Sequence, residues 1–199
     1  MKRIFHAAVP MLLLVEPAFS LPDAYSRNAP KIFVGLDAPH LHLLTNHLPI
    51  FVTLSGLIAL IVALRTKNQG TRQVALWLIL LGVAGGLLTF WLGQQAYKPV
   101  RGLADEIGQD WLDLHMERAE RFVWVFWLTL ASSIAALVMG WRKHRFSTVA
   151  VLITGALGLA TPGLSSWIAD AGGKVRHVEI RGETTPAPAD GEGSNSHTH

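Results

Sequence analysis

Five histidines, His40, His42, His47, His115 and His177, stand at the predicted ends of apolar helices that need no imidazole in order to fold. Imidazole ligates haem iron, copper and zinc as a neutral base and exchanges a proton near neutral pH. Three of the five fall within residues 40–47. At 3.6 residues per turn His40 and His47 share one helix face, and His42 and Asn46 share another. Such a cluster at one end of a bundle asks for a ligand, a metal or a proton. The chain has no cysteine, so a metal would be held by His, Met, carboxylate or backbone oxygen, and iron–sulfur ligation is excluded.

The elements that must position these residues follow from composition. Of 199 residues, 50% are hydrophobic and only 16% are charged, against roughly a quarter charged in an ordinary soluble domain. The apolar residues gather in runs near 48–64, 74–96, 122–141 and 147–168, each long enough to cross a hydrocarbon core of about 30 Å as a helix. The predicted fold is therefore all-α, a four-helix transmembrane bundle whose first partner is the lipid bilayer. The formal charge of +3 sits largely in short loops and gives no reason to expect nucleic acid. Loop 65–72 carries Arg65, Lys67 and Arg72, loop 141–146 carries Arg142, Lys143 and Arg145, and neither contains an acid. Excess Lys and Arg mark cytoplasmic loops. The histidine cluster and both mature termini are thus expected on the periplasmic side of a bacterial inner membrane.

Residues 1–20 read as a signal peptide, with Lys2 and Arg3, an apolar run from Ile4 to Val15, and Ala18 and Ser20 before a cleavage point. An uncleaved N-terminal helix is the alternative. The membrane domain is expected over 21–181, and the Pro-, Gly- and Ser-containing tail 182–199 is expected to be disordered. No internal repeat is convincing.

Asp37 or Ala38 can cap the first helix, with Pro39 in its first turn. Pro49 predicts a kink near His47. From Gly102 to Arg121, Leu103, Ile107, Trp111 and Leu114 recur at three- and four-residue intervals. That rhythm predicts an extramembrane amphipathic helical extension running into the third span. His115 on that helix is expected level with His40, about 10 Å above the span, and His47 about two turns deeper. After the last span, Gly172 and Gly173 predict a sharp turn, and Val175, His177 and Glu179 alternate as in a strand. This segment is read as a lid, or as an anchor whose Lys174, Arg176 and Arg181 meet headgroups. His6, His144, His197 and His199 are assigned no role.

The run His-x-His-Leu-Leu-x-Asn-His-x-Pro from His40 to Pro49, Gly93 and Ala96, helix-borne His115 with Glu117, and the closing Gly-Gly-Lys-Val-Arg-His-x-Glu-Ile from Gly172 to Ile180 resemble one family. It comprises small bacterial four-helix membrane proteins of unknown function. The resemblance covers most of 40–180 and implies a redox setting, because related domains are sometimes joined to Rieske-type modules. In that family an acid commonly follows the helix histidine directly, whereas here Met116 separates His115 from Glu117.

The leading expectation is a membrane electron-transfer subunit that binds haem b and meets a periplasmic or membrane redox partner. Its ligands are expected among His40, His47, His115 and His177. Trp91, Trp111 and Trp124 could wall a porphyrin. Gly82, Gly85, Gly86 and Gly93 could admit one or simply pack helices closely. The alternatives are copper or zinc held by His40, His42, His47, His115 and Glu117, and a structural or assembly subunit. The spans lack ionisable residues, which ranks transport last. No nucleophile triad, phosphate loop or ExxH pair supports an independent enzyme.

Overall fold

The computed structural model describes residues 31–33 and 35–186. The expected signal segment 1–20 and the tail beyond residue 186 lie outside the described residues. The named elements are all helices: α1 (Ala38–Thr45), α2 (Leu48–Thr66), α3 (Gln69–Arg101), α4 (Glu106–Trp141), α5 (Ser147–Lys174) and the short α6 (Val178–Arg181). Four segments, Ala38–Thr66, Gln69–Arg101, Glu106–Trp141 and Ser147–Lys174, are long and apolar enough to cross a membrane. The amphipathic extension and the third span form the single helix α4.

Local chemistry sets the helix ends. Asp37 is extended and its carboxylate accepts from the His40 N–H at 3.2 Å. Asn68 and Asp105 cap α3 and α4 in the same way, accepting from Thr71 at 3.0 Å and Gly108 at 2.9 Å. Each such cap satisfies an N–H that a helix start leaves unpaired. Pro49 has no N–H to give to the Thr45 carbonyl. The expected kink is therefore a full interruption at Asn46 and His47, after which the chain restarts as α2.

Two expectations for residues 171–181 are corrected. Gly172 and Gly173 do not turn the chain but lie inside α5, and the strand-like stretch after them is the helical turn α6. Glycine in a helix is unfavourable by about 0.5–1 kcal/mol relative to alanine. At Gly172 packing decides the matter, because the His115 ring occupies the place of a side chain. A lone extended segment would leave its main-chain groups unpaired, and a helical turn bonds them locally.

The bundle is a ring in which α2 packs on α3, α3 on α4, α4 on α5 and α5 on α2. Large apolar side chains such as Phe51, Ile58, Trp77, Trp127 and Leu159 face outward, as the surface of a membrane-spanning bundle requires. Inside, small residues let the backbones approach. At Gly82 a Cβ would meet the Thr53 hydroxyl and stand 2.7 Å from the Thr53 main-chain nitrogen. At Gly86 it would stand 2.7 Å from the Phe126 ring. This is the close packing that drives helix association where lipid is as apolar as the side chains.

α1–α3 form one helical hairpin and α4–α5 a second.

At the histidine end the chain after α5 folds back over the α3–α4 connection. Arg176 Nη1 donates to the Leu103 carbonyl at 2.6 Å and Trp111 Nε1 to the Thr184 carbonyl at 2.9 Å. Arg181 pairs with Asp105, its own side chain only 2% exposed and that of Asp105 58%. The hydrogen bond from Arg181 holds the Asp105 carboxyl below its ordinary value.

Replacing Gly82 with alanine should force α2 away from α3, at about 1–3 kcal/mol for an overpacked site. Thermal unfolding in detergent should show a lower Tm. Gly163→Ala, with open space around it, should leave Tm unchanged or raise it. The Asp105 pKa is lowered on folding, so its pairing with Arg181 contributes above the unfolded value near 3.8 and is lost as pH falls through the lower folded value. Amides of 178–186 should be protected from hydrogen exchange at neutral pH, and their protection relative to the unfolded rate should fall once the pH drops below 3.8. Asp105→Asn keeps the cap and should release the segment at pH 7; unchanged protection would refute the clasp.

Candidate functional site

α1 and α4 each send one histidine to the bundle axis. His42 Nδ1 lies 2.9 Å from the Thr89 main-chain oxygen on α3, and His115 Nδ1 lies 2.8 Å from the Ile168 main-chain oxygen on α5. A carbonyl only accepts, so in both rings Nδ1 carries the hydrogen. The neutral ring then keeps its lone pair on Nε2, on the far side from the carbonyl. Neither Nε2 has a hydrogen-bond partner among the described residues. The rings stand 6.1 Å apart, centroid to centroid, with their planes at 88°.

The carbonyls are reachable for a sequence reason. In a helix the C=O of residue i already accepts from the N–H of residue i+4, whose side chain screens its second lone pair. Four residues after Thr89 stands Gly93, and four after Ile168 stands Gly172. A Cβ at Gly93 would be 3.1 Å from His42 Cε1 and 3.2 Å from its Nδ1, and one at Gly172 would be 3.0 Å from both atoms of His115. Each ring therefore lies where a side chain is missing. Trp111, Leu112, Ala171 and Val175 form a buried apolar cluster at this end of the bundle, beside His115 in the sequence of α4 and Gly172 in that of α5.

Charged residues surround this end of the bundle. Arg101 grips Asp113 with Nε at 3.3 Å and Nη2 at 3.1 Å, and the Tyr97 hydroxyl donates to the same carboxylate at 2.6 Å. Arg118, one turn along α4 from His115, donates to the Trp167 carbonyl at 2.8 Å and lies 4.1 Å over the Trp167 ring. Its Nε is buried without a partner among the described residues.

Of the expected ligands, only His42 and His115 come together. His40, 52% exposed, bonds Asp37 through Nδ1 at 2.6 Å. Burial pushes the Asp37 carboxyl up, but hydrogen bonds from His40 outweigh it and hold the group below its ordinary value. His47 stacks on Phe51 at 6.1 Å and 9° between planes, on the exposed side of the α1–α2 break. His177 pairs with Glu179 at 2.7 Å, and Glu117 with Arg121 at 2.7 Å. No group of three or more His, Cys, Asp or Glu positioned to hold a metal ion occurs among the described residues. His40 and His47 thus turn to separate partners, Asp37 and Phe51. His115 is level with His42, not His40. Trp111 is buried, whereas Trp91 and Trp124 are 50% and 54% exposed and turned outward. Gly82 and Gly86 serve close packing, and Gly93 receives a ring.

The readable signal for this pair was a glycine four residues beyond each acceptor carbonyl, on the span following each histidine-bearing one. No family model, curated protein or solved structure matches the chain.

Proposed function

We propose that the protein is a membrane electron-transfer subunit whose haem b is ligated by His42 and His115. The observation that carries the reading is the pair itself, two imidazoles from diagonally opposite helices with anchored Nδ1–H groups, 6.1 Å apart. The two Nε2 lone pairs, unpartnered among the described residues, would supply the two ligands that haem iron asks of a protein. Fixing Nδ1–H to a carbonyl sets the tautomer and raises the basicity of Nε2, the usual support for a ligating histidine. A porphyrin supplies four nitrogens and asks the protein for two axial ligands. Structural zinc needs four protein ligands, and the described residues gather two. The same two nitrogens would suit copper, which is the second reading.

The basic loops 65–72 and 141–146 lie at the opposite end from the pair. Under the charge rule for membrane loops they face the cytoplasm, which orients the site toward the periplasm of a bacterial inner membrane. A carrier docking there, or a neighbouring membrane subunit, would exchange the electron.

Protein purified in mild detergent from its native membranes should show a Soret band, and sharp α and β bands on dithionite reduction. His42→Ala and His115→Ala should each abolish the bis-imidazole spectrum. His40→Ala, His47→Ala and His177→Ala should retain it. A colourless sample with about one copper per chain would favour the second reading, and one with neither haem nor metal would overturn both.

A further inference from the structure

We infer that the end of the bundle opposite the histidine pair is a docking surface for anionic phospholipid headgroups, with Lys67 and Lys143 as its principal contacts; the inference is independent of what the pair binds. Between Asp37 and Asp105, and again between Glu120 and Asp170, the sequence contains no acid. The loops at this end therefore present Arg65, Lys67, Arg72, Arg142, Lys143 and Arg145 without a carboxylate. None of the six makes an ion pair or a side-chain hydrogen bond among the described residues, and Arg145 only rests over the Phe146 ring at 4.6 Å. The histidine end differs. There Lys174 bonds Asp170 at 2.8 Å, Arg101 bonds Asp113, Arg121 bonds Glu117 and Arg176 donates to the Leu103 carbonyl, so those side chains are engaged within the protein.

The two basic loops form one surface. Arg72 Nη2 at the start of α3 lies 3.9 Å from where a Cβ at Gly140, near the end of α4, would stand. Arg72 is half-buried and the other five cations are exposed. Trp77 and Trp141, on the same helix ends, are exposed as well, as residues of the aromatic belt between hydrocarbon and water are.

Backbone conformation singles out the two lysines. α2 and α4 both close with an N–H returned five residues, from Asn68 to the Ala63 carbonyl at 3.2 Å and from His144 to the Met139 carbonyl at 2.9 Å. The residue before each donor is then left-handed, a place where glycine is usual. Lysine stands there in both loops, Lys67 at φ 53° and Lys143 at φ 49°, the only non-glycine residues with positive φ among the described residues. The loop charge that orients a membrane protein is already supplied by the four arginines, so orientation does not call for two more cations at strained positions. A phosphate at headgroup depth does, because each basic residue near the membrane surface favours anionic lipid roughly fivefold. The connections are only 67–68 and 142–146. They keep the cations at the level of the headgroups, which favours lipid over a soluble acidic partner.

The test places the full-length protein in phosphatidylcholine bilayers containing a trace of spin-labelled phosphatidylglycerol or spin-labelled phosphatidylcholine. Electron paramagnetic resonance reads the fraction of each label immobilised by the protein. A larger fraction is expected for phosphatidylglycerol, with the difference shrinking as salt is raised. Lys67→Gly combined with Lys143→Gly relieves both left-handed positions, so its Tm in detergent should match or exceed that of wild type while the preference falls. Lys67→Gln with Lys143→Gln should lose the preference to the same extent, and Lys98→Gln, at the histidine end, should keep it. Equal fractions for the two lipids in wild type, or an unchanged preference in the paired lysine variants, would overturn the inference. Absence of a lipid preference together with binding of polyglutamate would assign the surface to an acidic protein and overturn it equally.

Discussion

Two N–H groups seeking acceptors at one end of an apolar bundle govern how this chain is put together. A ring N–H near the membrane must bond to something in the protein, and among the described residues His42 and His115 each find a helix carbonyl. Those carbonyls are open because glycine stands one turn beyond each. Helix-to-helix hydrogen bonds in membrane proteins contribute about 0.6 kcal/mol on average, too little to account for bundle stability. Their value lies in direction, since each bond fixes the rotation of α1 against α3 or of α4 against α5. Stability comes instead from backbones packed closely at Gly56, Gly82 and Gly86.

How much of this could be read in the residues depends on the range of the interaction that decides it. The four spans and the α4 extension follow from apolar run length and three- and four-residue rhythm, which act within one helix. Asp37 at a helix start and a disturbance near Pro49 are equally local. The pairing of His42 with His115 is not local. It depends on glycines in two other helices, Gly93 and Gly172. Gly172 and Gly173 show the same limit from the other side. Their intrinsic preference is for a turn, and contact with the His115 ring overrides it.

The self-contained character of each hairpin has a consequence for biogenesis. His42 is anchored by α3 and His115 by α5, so each imidazole finds its acceptor within the hairpin that carries it. A ribosome delivering this chain to a membrane would complete the first hairpin, with one ring already oriented, long before the second exists. The pair comes into being only when α5 has been inserted as far as Gly172 and the two halves have closed on one another. The two rings therefore meet only when the second hairpin arrives against one that has been waiting.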